Sequence, residues 1–197
     1  VKPGEATGEK RYLELSEFFV RKRGTSPKDV GIYRKDDGSG IQSHLPMMEQ
    51  RTAEGHAVRA VYLYSAVADL AEALKDQELR ALAEDLFDDI YEKKMYITGG
   101  IGSSSLGERF TVPYHLPNRD AYAETCASLG LALFARRMYA MEPDSRYGDA
   151  AERALYNGMI AGLSLEGDAF FYSNLLEIDL SREKIPMSYS PATLRQK

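Results

Sequence analysis

Helical periodicity in this chain comes in two kinds, and they alternate. The stretch from about His56 to Lys75 is apolar nearly all the way round, and so is the stretch from about Asp120 to Met141. A helix without a polar face has to be covered on most sides. The stretches from about Gln77 to Lys94 and from about Arg146 to Leu163 are instead amphipathic. In the first, Leu79, Leu82, Leu86 and Ile90 make a stripe, while Glu78, Asp85, Asp88, Asp89 and Glu92 are expected to stay wet. In the second, Ala151, Ala154, Leu155 and Ile160 oppose Asp149, Glu152 and Arg153. The order buried, surface, buried, surface is that of helical hairpins with an inner ring inside an outer ring. A two-layer bundle accommodates it less naturally. The expected class is therefore all-α. A further helix is expected from Thr7 to Arg23, with Tyr12, Leu15 and Phe19 at helical spacing and Gly24 as its stop. Ala169 to Ser173 and Leu175 to Ile178 read as two short strands of a β-hairpin near the C-terminus.

Loop lengths carry a second asymmetry. The turns from inner to outer helices are short, at Asp76-Gln77 and Glu142 to Ser145. The connections into the inner helices are long, from about Gly24 to Gly55 and from about Met95 to Arg119. Long loops in compact domains usually carry function. In an inner-and-outer ring both emerge at the N-termini of the inner helices, so that end is the candidate site.

Composition excludes several classes. The 197 residues carry a formal charge of −5, which gives no general hold on a nucleic-acid backbone or an anionic membrane. No apolar run is long enough to span a bilayer. One cysteine excludes a disulfide framework, and a lone free thiol fits a reducing cytoplasm. The first residues, from Val1 to Glu5, contain neither a Met nor a signal pattern.

Five residues could carry chemistry. His56 sits where a long loop enters a buried helix, either as a backbone-satisfied histidine or as a hydrogen-bond donor to substrate. Glu108 follows the glycine-rich run Thr98 to Gly107. A helix precedes that run and no Gly-Lys-Ser/Thr follows it, so it is not a phosphate loop. It reads instead as a tight loop holding Glu108 over the ring mouth, where a glutamate can act as general acid. Glu124 and Cys126 lie at the start of an apolar helix. Carboxylate plus thiolate suits zinc, but positions i and i+2 of a regular helix point about 200° apart. They share an ion only if the first turn is irregular; otherwise they are a salt-bridged acid and a small buried thiol. Tyr172, on a short strand with Phe170 on the same face, is by default a core aromatic.

These residues lie in segments that resemble glycoside hydrolase family 127, which includes the β-L-arabinofuranosidases. The segments are Gly55 to Arg59 with Tyr62 to Tyr64, Lys94 to Gly102, Gly107 to Phe110, Tyr114 to Asn118, Ala121 to Ala127, Glu152 to Asn157 and Phe170 to Asn174. The resemblance implies an (α/α)6 barrel and retaining hydrolysis by a zinc-bound cysteine thiolate with a glutamate acid/base. It places Glu108 at the acid/base position, Glu124 and Cys126 at two zinc-ligand positions, and His56 and Tyr172 at sugar-contacting positions. The implied substrate is a terminal β-L-arabinofuranose or similar pentose on a plant-type glycan.

The departures are as informative. The family's Cys-Cys pair, which supplies the nucleophile and another ligand, is absent, as is the Trp-Phe before it; this chain has no Trp, and Cys126 is its one cysteine. Leu175 stands where the family commonly has proline. Residues 1–197 are therefore expected to be the central part of a larger barrel domain, inactive alone and binding zinc weakly or not at all. Part of a barrel would expose inner-helix faces and favour self-association. A different class of function is a non-catalytic carbohydrate-binding or assembly protein built on the same helices. Epimerisation by histidine bases fits less well, with three histidines, of which His44 and His115 lie in loops.

Overall fold

A computed structural model describes residues 1–26 and 37–177, and the backbone of 195–196. Its helices are α1 (Lys2–Thr7), α2 (Lys10–Lys22), α3 (Ala57–Leu74), α4 (Gln77–Lys93), α5 (Thr125–Met141) and α6 (Ser145–Arg153). The apolar helices α3 and α5 pack against each other. The outer helix α4 covers α3, and α6 covers α5. The chain is all-α, and its two inner-and-outer hairpins are the repeating unit of an α/α barrel. No helix of the described residues is long and apolar enough to cross a membrane.

Aromatic rings join the layers. Phe134 of α5 is fully buried, 5.9 Å from the Tyr64 ring of α3 and 5.7 Å from the Phe87 ring of α4. Phe87 meets Tyr147 of α6 edge-on at 4.7 Å. Leu79, Leu82, Leu86 and Ile90 are all buried, as their spacing requires. Asp89 is the exception on the polar face: it is 2% exposed, because it forms an ion pair with Lys94 instead of reaching water.

The short inner-to-outer turns are capped by aspartates. Asp76 accepts from the backbone N–H groups of Glu78 (2.9 Å) and Leu79 (3.1 Å), and Asp144 from that of Arg146 (2.8 Å). The bond from Leu79 is the main reason that the Asp76 carboxyl titrates below its usual range, with burial opposing it. A lowered folded-state pKa adds stability that is present above the unfolded pKa and lost as pH falls through the folded one. Asp76→Ala is expected to cost about 1 kcal/mol at neutral pH, and less in acid, in urea melts at the two pH values.

Three expectations differ. The helix from Thr7 to Arg23 is broken at Gly8, which is left-handed (φ 72°) and caps α1. On α2, Val20 is buried, whereas Leu15, Phe18 and Phe19 are exposed. The fifth helix keeps α geometry only to Arg153, then passes through a π-helical turn (Ala154–Met159) and a 3-10 turn (Ile160–Gly162). At Gly158 a Cβ would lie 2.4 Å from Ser128 Oγ, so only glycine lets this turn pass α5 so closely. The widened turn rotates the stripe, and Ile160 is 43% exposed. Finally, Phe170–Phe171 (β1) pairs antiparallel with Arg195–Gln196 (β2) rather than with Leu175 to Ile178. Leu175 and Leu176 form no strand, and Ile178 lies outside the described residues.

Candidate active site

The two long loops do converge on the N-termini of the inner helices. His56 is the N-cap of α3, and Glu124 is the N-cap of α5. Extended segments tie the two ends together. The Ala57 N–H donates to Glu108 O and the Phe110 N–H to Gly55 O, both at 2.9 Å, so residues 55–57 run antiparallel to 108–110. Ser104 pairs with Arg109, Ala123 N–H donates to Gly102 O at 3.0 Å, and Thr125 N–H donates to Tyr172 O at 2.9 Å. Each loop thus presents its side chain at one mouth.

Two positions show why the loops take this path. Gly55 has φ 72° and a Cβ there would lie 1.7 Å from Ser39 O, so the approach to His56 needs glycine. Glu108 itself has φ 52° and Ala123 has φ 42°, although neither is glycine. Left-handed backbone at ordinary residues is costly and concentrates at functional sites. Here it turns Glu108 and Glu124 toward each other. Gln42 stitches the first loop down, donating to the Glu54 carbonyl (3.0 Å) and the His56 carbonyl (3.3 Å).

The side chains meet closely. His56 Nε2 lies 2.8 Å from Glu108 Oε2, an ion-pair distance, and the Tyr122 hydroxyl donates to Glu108 Oε1 at 2.9 Å. Both oxygens of Glu108 are therefore engaged. Glu124 is 3% exposed and its Oε2 is buried without a hydrogen-bond partner. Burial raises the Glu124 pKa, opposed by hydrogen bonds from the Cys126 thiol and the Tyr172 hydroxyl. Burial likewise pushes the Cys126 thiol up to about 11, with the neighbouring Glu124 carboxylate adding to the shift. Tyr122 and Tyr172 are also shifted upward, first by burial and then by the carboxylates beside them.

One ligand atom each from His56, Glu108 and Glu124 lies within 4.8 Å of the others, a spacing that can hold a metal ion. The donors fit zinc. Glu124 Oε2 is an orphaned buried oxygen, which an ion would satisfy. The thiol of Cys126 reaches the same carboxylate. The objection that residues i and i+2 diverge on a helix does not apply, because Glu124 is extended (ψ 137°) and only Thr125 begins the helix.

All five residues singled out in the sequence are thus gathered at the mouth. Tyr122 was missed. Its signal was faint: it lies inside the segment that carries Glu124 and Cys126, with nothing to show that it reaches Glu108. Asn174 was also missed. Its Nδ2 donates to Ala123 O, Thr125 Oγ1 and Gly158 O, each at 3.1 Å, and so pins the strained turn before Glu124.

The family model for the "Beta-L-arabinofuranosidase, GH127 catalytic domain" matches residues 1–192. This chain belongs to the GH127 family. It is 41% identical over 189 residues to the non-reducing end beta-L-arabinofuranosidase of Bifidobacterium longum subsp. longum, covering 88% of this chain and 28% of that protein. Among solved structures, a GH127 beta-L-arabinofuranosidase from Geobacillus stearothermophilus T6 superposes with a TM-score of 0.85 at 43% identity. That match covers 91% of this chain and 31% of the other. A second GH127 beta-arabinofuranosidase gives a TM-score of 0.81 at 45% identity, covering 89% and 26%. The chain thus spans about a third or less of these GH127 relatives.

Proposed function

We propose that this GH127 chain carries the acid/base and part of the zinc site of a retaining hydrolase that releases terminal β-L-arabinofuranose, or a similar pentose, from plant-type glycans. The observation that carries the reading is the division of labour between two carboxylates. Glu108 has one oxygen against His56 Nε2 and the other bonded to the Tyr122 hydroxyl, whereas Glu124 keeps a buried oxygen free beside Cys126. Glu124 and Cys126 are then the residues that hold zinc, and Glu108 stays available to move protons.

Bound zinc supplies a lowered thiol pKa, and with it a thiolate at neutral pH. Glu108, protonated, gives its proton to the departing glycosidic oxygen, and as a carboxylate it later takes one from the attacking water. Protonating Glu108 turns one of its two acceptor oxygens into a donor. If it is the oxygen facing Tyr122, the hydroxyl can accept the new proton and turn its own O–H to a sugar hydroxyl; if it is the oxygen facing His56, the ring nitrogen is freed for the sugar. Tyr172, beside Glu124, borders the same space and contacts the sugar. The nucleophilic cysteine comes from residues beyond those in this chain, since Cys126, the one cysteine here, is used as a ligand. The 197 residues are thus the central part of a larger catalytic domain.

Two measurements test this. Residues 1–197 alone are expected not to turn over an aryl β-L-arabinofuranoside; turnover would sink the division of roles. Zinc titration of the same chain is expected to show weak 1:1 binding, weakened by about tenfold or more in Glu124→Gln and in Cys126→Ser. Unchanged affinity in both variants would place the ion elsewhere.

A further inference from the structure

We propose that the buried Asp89–Lys94 ion pair is a positioning device that sets the register between His56 and Glu108; the functional meaning of that register rests on the reading that both face the sugar. Asp89 and Lys94 are 2% and 3% exposed, with Lys94 Nζ 3.0 Å from Asp89 Oδ2. Removing two charges from water costs more than such a pair usually returns, and an apolar pair of similar volume would stabilise a fold as well. The geometry shows what the charges do instead. Asp89 Oδ2 accepts from the Ala53 N–H at 2.8 Å, and Lys94 Nζ donates to the Ala53 carbonyl at 2.7 Å. Both polar groups of one residue, Ala53, are thereby clamped to the end of the outer helix α4.

The same ammonium also reaches the other segment. Lys94 Nζ lies 6.0 Å from the centre of the Phe110 ring, within range of a cation–π attraction. Ala53 leads through Gly55 into His56, and Phe110 follows Glu108 by two residues. Between them run the two backbone bonds, Phe110 N–H to Gly55 O and Ala57 N–H to Glu108 O. One cation therefore touches both arms of the pairing that brings His56 Nε2 to Glu108 Oε2. The ring of His56 has no second anchor among the described residues, since its Nδ1 is buried without a hydrogen-bond partner. Where His56 points depends on the backbone register. Asp89 and Lys94 touch neither side chain, and so act as positioning residues.

The test uses the 197-residue chain with both charges replaced by apolar groups, Asp89→Leu with Lys94→Met. Expected are a lowered melting temperature, because the buried Ala53 N–H and carbonyl lose their partners, exchange at the Ala57 and Phe110 amides faster by about tenfold, and a smaller change at the amides in the centres of α3 and α5. The NMR signal of the His56 ring is expected to move while that of His115 stays. A folded variant with both amides within about twofold of the parent and an unmoved His56 signal would overturn the proposal. Native-state exchange on the unmodified chain keeps it falsifiable even if the variant fails to fold. There the Ala53, Ala57 and Phe110 amides are expected to open as one unit with a shared denaturant dependence, and separate opening would overturn it. These signals do not depend on hydrolysis. A wrong assignment of Glu108 would instead show as retained hydrolysis in Glu108→Gln.

Discussion

Glu108→Gln, introduced into a catalytically complete protein carrying this chain, is expected to slow hydrolysis of a glycan substrate by about 10²–10⁴-fold. Glutamine keeps the size of the side chain and can still accept from one of the two donors, His56 or Tyr122. It cannot give a proton to a departing oxygen. The loss should therefore depend on the leaving group. A sugar alkoxide needs the proton, whereas an activated nitrophenolate leaves without it. Release of an activated phenol by the variant is expected to persist as a burst followed by slow turnover, because water attack still lacks its base. Stopped-flow measurement of both substrates checks this. An equal loss on both substrates in the first step, with a folded variant, would assign Glu108 a purely structural role.

Phe134→Ala is expected to cost about 3–5 kcal/mol of stability, the range for removing a large buried aromatic. Phe134 is fully buried where both inner helices meet the outer helix α4, touching Tyr64 on α3 and Phe87 on α4. Neither helix can collapse onto the void without breaking its packing with the other. Urea unfolding of the 197-residue chain reads the change, with a melting temperature lower by roughly 10 °C. A loss of less than about 1 kcal/mol would mean that α3, α4 and α5 do not share one core.

Much of the architecture was legible because burial imposes periodicity. The inner helices α3 and α5 declared themselves by having no polar face, and the outer helix α4 by its leucine stripe. The site's location followed from loop length, since the long loops both enter inner helices. Local irregularity was not legible. The π-helical turn after Arg153 lies where Gly158 passes closely by Ser128 of another helix, and that contact is between residues distant in sequence. The partner of β1 likewise lies about twenty residues along the chain from the expected one, a choice made by pairing and not by propensity. The wet face assigned to Asp89 failed for a similar reason: its partner Lys94 and the Ala53 backbone are brought to it only by the fold.

The sequence by itself determined the class of fold, the end of the molecule where the long loops gather the candidate residues, and the residue types found there. Those follow from hydrophobic pattern, loop length and side-chain chemistry, which are local properties. Only the tertiary structure decided which carboxylate has spare valence. Glu108 and Glu124 are chemically identical side chains, each at the rim of an inner helix. One is met on both oxygens, by His56 and Tyr122, and the other keeps a buried oxygen without a partner beside a thiol, because different neighbours reach them in the folded mouth. Hydrogen-bond geometry depends on positions in space to within an ångström, and residues from four separate segments set those positions together.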